Sequence, residues 1–339
     1  MKAFESRFAE EELEEVRDVL LAGNLGFGEN VSRLEDSFKD FSGKSHNVAT
    51  NSASAAAFMI FAFLKEKYGT CDVYTTSLGF VSPAWAAKHH GHNVLFVDVN
   101  DELLFDMQDY AKRRVRSANK VVLMPVLYGG VSEIENWQPA AGEIVVVDSA
   151  HCVTPKIKCD FSFFSFHPYK PICSSDGGMI STDDKDASNF FRLYRNFGRV
   201  PQKEGGYDIH ASGGFKFYMN NLNATLALAS MKRYDDDLLV RKRNFQLIRE
   251  NLPLTNMINH VTLSSYYFGV SFSDNADKIM NRLGLTRHYP MLHMMTHFDN
   301  NHRPRLSNLE SIHGKIVNIP IHQHLTEEEI VQIVRIIGE

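Results

Sequence analysis

Nowhere does this chain carry the ~18–20 consecutive apolar residues that a membrane helix needs, so no bilayer-spanning role is expected. Its opening, Met1-Lys2-Ala3-Phe4-Glu5, lacks an apolar signal-peptide core and reads as a cytoplasmic protein. Cysteine is scarce: Cys71, Cys152, Cys159 and Cys173 are the four in 339 residues, with no Cys-x-x-Cys pair. That pattern excludes a disulfide scaffold, argues against zinc, and makes free thiols the default. Neither sign of charge dominates. A net charge of -5 argues against general binding to nucleic acid or anionic membrane. The short acidic runs Asp235–Asp237 and Glu327–Glu329 read as solvated helix faces. There is neither an internal repeat nor a low-complexity segment.

What remains is an ordinary globular composition, with 44% hydrophobic and 23% charged residues, in a chain long enough for two domains. Helix-like and strand-like segments alternate. Helices are expected over Ala9–Ala22, Val31–Phe41, Ala55–Leu64, Ser82–His90, Met107–Val115 and Asn189–Phe197. Strands are expected over His46–Thr50, Val73–Thr76, Asn93–Val97, Val121–Leu127, Glu143–Val147, Phe161–Phe166 and Gly178–Ser181. This βαβ alternation predicts an α/β fold, a mostly parallel sheet with helices on both faces. The Gly-rich segment Gly198–Gly214 reads as a long, functional loop. A helix from Asn221 is expected to run on through Arg233 into Arg241–Asn251. Strands Ser265–Phe272 and Lys315–Ile319 and a final helix Thr326–Ile337 then make a smaller α+β domain. The expected division is 1–235, large and cofactor-binding, and 236–339, small.

The segment from Ile144 to Met179 carries the chemistry. Asp148 ends the apolar run Ile144–Val147, and Lys170 follows 22 residues later, just before Gly177-Gly178. A carboxylate and an amine held by strands and a Gly turn are what pyridoxal phosphate requires. The amine forms the Schiff base, and the carboxylate keeps the pyridine nitrogen protonated so that the ring acts as an electron sink. The same two residues also read as a strand-end cap and a solvated loop lysine. Asn51-Ser52-Ala53-Ser54 opens a helix, where small residues and a hydroxyl suit a phosphate or serve as a plain cap. Ser165 could add a second hydroxyl. Phe80 could stack on a ring or pack in a core. His151, three positions after Asp148, could hydrogen-bond a phenolic oxygen.

In order and spacing these segments resemble the DegT/DnrJ/EryC1/StrS family of sugar aminotransferases, of the aspartate aminotransferase-like fold type I. The family's "nSGTaAL" is similar to Asn51–Ala56. Its "eDaAq/h" resembles Val147–His151, and its "SFhptK…EGG" resembles Ser165–Lys170 with Asp176–Gly178. Phe80-Val81-Ser82, His288-Tyr289-Pro290 with Leu292-His293, and Val317–His322 resemble further family segments. The likeness runs from about Phe27 to the C-terminus.

The resemblance implies a pyridoxal 5'-phosphate enzyme that moves an amino group, with glutamate as donor, to a nucleotide-linked keto sugar. It implies Lys170 as Schiff-base lysine and acid/base, Asp148 on the pyridine nitrogen and His151 on the phenolic oxygen. Phe80 would lie on the ring, Ser54, Ser165 and the Ala53 amide on the phosphate, and His288 and Tyr289 near the sugar. A homodimer with shared sites is implied as well. One departure stands out: where the family has "GyNyRm", this chain has Gly214–Met219, with Lys216 and Tyr218 in place of Asn and Arg. Lys216 could still meet a phosphate across the dimer as a point charge. Two neighbouring readings stay open here. One is a sugar dehydratase of the same family, which carries histidine where Lys170 stands. The other is a non-catalytic, pyridoxal phosphate-binding regulator or scaffold, against which the missing DNA-binding segment counts.

Overall fold

The computed structural model describes residues 2, 4, 5, 7–115, 119–130, 137–153, 158–200, 209, 210, 212–252, 267–298 and 303–339. Seven strands form the main sheet: β1 (His46–Thr50), β2 (Asp72–Thr76), β3 (Asn93–Val97), β4 (Lys120–Pro125), β5 (Glu143–Asp148), β6 (Phe161–Ser165) and β7 (Gly178–Thr182). Their order is β1-β7-β6-β5-β4-β2-β3, and β7 alone runs antiparallel to its neighbours. The expected mostly parallel α/β sheet is what the structure has.

Strand residues alternate between two cores, because successive side chains point to opposite faces. Phe163 and Ile180 face one core, while Phe164 and Met179 face the other. The first core is covered by the helix Ala53–Tyr68, whose stretch Ala55–Leu64 is buried almost all round. The second is covered by the helices Glu29–Ser37 and Asn221–Lys232. A helix that is apolar on every side belongs inside, which explains why Ala53–Tyr68 is sandwiched between the sheet and the helix Lys185–Tyr194.

Two sequence expectations are corrected. The helix expected to continue from Asn221 breaks at Arg233 into Asn221–Lys232 and Tyr234–Asn251. There the Arg233 side chain pairs with Glu12 and Asp237, which fixes the junction. The helix expected over Val31–Phe41 is two, Glu29–Ser37 and Lys39–Ser42. Within Gly198–Gly214, Arg199–Val200 pairs with Ile209–His210, while 201–208 and 211 lie outside the described residues. The start of the strand expected over Ser265–Phe272 also lies outside them; Gly269–Phe272 pairs with Ile316–Ile319. A C-terminal core gathers Phe245, Ile279, Val317 and Ile333. Among the described residues no helix is long and apolar enough to cross a membrane.

A buried ion-pair network braces β1. Glu35, 5% exposed, accepts from Arg195, from Arg192 at 2.7 Å and from the Ala49 N–H at 2.9 Å. Arg195 is itself 3% exposed and also donates to the Ala49 carbonyl. Removing one partner of such a pair leaves an uncompensated buried charge. Glu35→Ala is therefore expected to cost about 3–5 kcal/mol, read as a lower denaturant midpoint. A loss under about 1 kcal/mol would place the network among weak surface pairs.

Candidate active site

Strand ends converge on one cavity of about 390 Å³ at the carboxyl edge of the sheet. The strand order reverses between β4 and β2, the switch point where such sheets open a crevice. Phe80, Ser82 and Pro83 line it after β2, and Pro125, Val126 and Leu127 after β4. β5 brings Asp148 and, just beyond, His151; β6 brings Ser165 and the loop to Lys170. Every sequence-predicted site residue except Lys216 lines this cavity: Ala53, Ser54, Phe80, Asp148, His151, Ser165, Lys170, His288 and Tyr289. Lys216 is exposed outside it, its backbone carbonyl accepting from the Asn51 side chain at 3.2 Å and its amine 5.6 Å from the Tyr218 ring.

One end of the cavity is built for an anion. The helix Ala53–Tyr68 begins there, with Ser52 Oγ accepting from the Ala55 N–H at 3.1 Å. The Ala56 N–H goes to the Ser52 carbonyl, which leaves the Ala53 and Ser54 N–H groups without intrahelical acceptors. Gly178 pairs with both Thr50 and Ser165, and a Cβ there would lie 2.6 Å from the Ala53 nitrogen. Only glycine lets β7 approach the helix start so closely. Ser82 Oγ donates to Ser54 Oγ at 2.7 Å, adding a hydroxyl that sequence reasoning missed.

The other end is polar and mostly buried. Asp148 is 8% exposed and accepts from the Ala150 N–H at 3.0 Å. Burial raises its pKa to about 6, opposed by that N–H and by the positive charge of Lys170. Burial lowers the Lys170 amine to about 8, with Asp148 pulling it back up. His151 is held neutral, chiefly by burial and then by Lys170 and His288. Its Nδ1 accepts from the Tyr128 N–H at 3.1 Å, so the proton sits on Nε2, 2.8 Å from the Tyr289 hydroxyl. Phe80 is 56% exposed, an apolar ring turned to open space at the cavity wall. Tyr128 donates to the His288 carbonyl, and the His288 N–H goes to Asn318 at 2.8 Å, which ties this loop to the C-terminal strands.

This donor set fits a flat, phosphorylated pyridine. It offers a buried carboxylate with no ion pair among the described residues, a helix start ringed by hydroxyls, an uncovered aromatic face and an amine that loses its proton near neutrality. Sequence reasoning missed Tyr267 and Phe4. Tyr267 accepts from Lys170 Nζ at 3.1 Å and stacks on His151 at 4.0 Å. Phe4 stacks on Tyr267 at 4.9 Å and on Tyr169 at 5.2 Å, drawing the N-terminal segment over the cavity. The only sequence signal for either was an aromatic in a segment of other apparent purpose.

The chain is similar to known proteins. The profile of the DegT/DnrJ/EryC1/StrS aminotransferase family matches residues 6–338. Spore coat polysaccharide biosynthesis protein SpsC of Bacillus subtilis is 32% identical over 245 residues, 67% of this chain; the chain spans 62% of that protein's length. GDP-perosamine synthase of Caulobacter vibrioides is 26% identical over 335 residues, covering 91% of this chain and 89% of that one. The fold superimposes on Helicobacter pylori PseC, an aminotransferase of pseudoaminic acid biosynthesis, with a TM-score of 0.91, 19% identity, and coverage of 99% and 97%. The chain therefore belongs to the DegT/DnrJ/EryC1/StrS aminotransferase family, whose enzymes work with pyridoxal phosphate.

Proposed function

We propose that this chain transfers an amino group from glutamate to a keto sugar carried on a nucleotide. The observation that carries the reading is the Lys170 amine beside the buried Asp148, in one cavity with the start of the helix Ala53–Tyr68. A relative named GDP-perosamine synthase supports the nucleotide sugar. When bound, pyridoxal phosphate supplies an electron sink for the pair left behind as a proton leaves the amino-bearing carbon.

The residues divide the remaining work. Asp148 holds the proton on the pyridine nitrogen. Ser54, Ser165 and the Ala53 N–H hold the phosphate, favoured by the helix dipole. Phe80 covers one face of the ring, and the Nε2–H of His151 is the donor for the phenolic oxygen. Lys170 Nζ, once free, would take the proton from the amino-bearing carbon and give it back on the far side of the amino nitrogen; its lowered pKa suits both directions. His288 and Tyr289 border the sugar end. In a homodimer Lys216 meets the neighbouring subunit's phosphate. The large part, 1–235, carries this site and the small part, 236–339, closes it; the core around Ile279, Val317 and Ile333 supports this division, while Tyr267, Phe268, Leu292 and Leu309 pack into the main core.

The test is a visible absorption spectrum of the protein with added pyridoxal phosphate, before and after glutamate. A band that bleaches with glutamate and returns with a nucleotide-linked keto sugar is expected. A band that ignores glutamate but bleaches with another amino acid would replace glutamate as the donor.

A further inference from the structure

We infer that Tyr267 is the positioning residue of the Lys170 amine: its hydroxyl holds the amine over the cavity in either protonation state. This rests on the reading of Lys170 as the reactive amine. Among the described residues the hydrogen bond of Lys170 Nζ is to Tyr267 Oη, at 3.1 Å. A lysine head on a four-carbon stem samples many rotamers, so an amine that must strike one atom gains from a fixed partner.

Tyr267 is itself fixed from several sides. It is 4% exposed. Its ring stacks on His151 at 4.0 Å and on Phe4 at 4.9 Å, and meets Phe268 edge-on at 5.3 Å. Its N–H reaches the Tyr128 carbonyl at 3.4 Å, and the Tyr128 N–H holds His151. The residue that orients His151 and the one that orients Lys170 are thus joined through one backbone contact. Lys170 sits between β6 and β7, whereas Tyr267 leads into Gly269–Phe272, so the amine's position depends on the C-terminal part.

Proton accounting permits the role without Tyr267 ever titrating. An ammonium has three donors and no acceptor, so it donates to Oη. The neutral amine has a lone pair, so it accepts the phenolic proton instead. Burial pushes the phenol's pKa up, which keeps its proton in place throughout. Charge-assisted hydrogen bonds are about twice as strong as neutral ones, so Oη favours the ammonium over the amine. The other groups acting on the pair are Asp148, His151, His167, His288, Tyr289 and, from the helix Tyr234–Asn251, Arg241. None of them changes when only the hydroxyl is deleted.

The experiment is the pH dependence of Lys170 acetylation in the cofactor-free, full-length protein, read by mass spectrometry, for wild type and Tyr267→Phe. The variant's midpoint is expected to fall by roughly half a pH unit to one unit, from loss of the charge-assisted bond. At pH 9, where the amine is largely neutral in both proteins, the rate of visible-band formation with pyridoxal phosphate is expected to drop about tenfold or more. A midpoint and a rate equal to wild type would overturn the inference and leave Tyr267 a packing ring. Difluorotyrosine at position 267 keeps ring and hydroxyl, so it carries the test even where the phenylalanine variant does not fold. Its phenol is a better donor and a poorer acceptor, and both effects lower the midpoint; an unmoved midpoint again overturns the role. Acetylation needs no cofactor. Failure of the proposed function shows separately, as a wild type that forms no Lys170-dependent band.

Discussion

Lys170→Ala is expected to abolish the visible band with pyridoxal phosphate and to slow amino transfer by at least about 10³-fold. The size follows from what else the cavity offers. His151 cannot replace the amine as a base, because Nδ1 already accepts from Tyr128 and the Nε2 proton faces Tyr289. His288 donates through Nδ1 to the Thr286 carbonyl, which fixes that ring. Lys170 is also tuned. At pH 7.5 a pKa of about 8 leaves roughly a quarter of the amine neutral, against about one part in a thousand for an ordinary lysine. Band formation in wild type should therefore rise steeply up to about pH 8 and then level off. Small alkylamines added to the alanine variant should restore part of the transfer, because they replace the base without its tether. A variant that keeps both band and transfer would remove Lys170 from the chemistry.

Much of the architecture around this lysine is written in the sequence. β4 and β5 are buried on both faces and so read as unbroken apolar runs, Val121–Met124 and Ile144–Val147, which made the carboxylate at the end of β5 easy to find. Ser52–Ser54 was legible as a helix start, because small hydroxyl residues before an apolar run cap helices. The direction of β7 was not legible. Strand composition does not encode pairing sense, and here the link from Ser165 to Gly178 simply doubles back. Nor was Glu35, whose partner Arg195 stands 160 residues away on another helix. Tyr267 and Phe4 were missed because a lone aromatic has no periodicity to betray it; only the fold stacks both beside His151 and Lys170.

Asp148→Asn is expected to separate capture of the cofactor from turnover. Asparagine keeps the shape of the side chain, and its oxygen can still accept from the Ala150 N–H. Two electrical effects then act in opposite directions. Without the carboxylate nothing holds the proton on the pyridine nitrogen, and amino transfer should fall by about 10²–10³-fold, the cost of losing a preorganised charge partner. The same carboxylate raises the Lys170 pKa, so its removal lets the amine drop below about 8. At pH 7 more of the amine is neutral, and the band should form at least as fast as in wild type. The acid limb should change too. A protonated pyridine nitrogen beside Asp148 holds the carboxylate below its cofactor-free value of about 6, so the wild-type limb should lie under pH 6, and the variant lacks it. Stability supplies an independent check of sign. A carboxyl group whose folded pKa is raised from 3.8 to about 6 binds its proton more tightly folded than unfolded. Stability is lost as pH rises between those values, and the full penalty stands above pH 6. A neutral asparagine escapes it, so the cofactor-free variant should be more stable at pH 7 by up to about 3 kcal/mol, measured as a higher denaturant midpoint. A variant with wild-type turnover, an intact acid limb and unchanged stability would reduce Asp148 to a cap on β5.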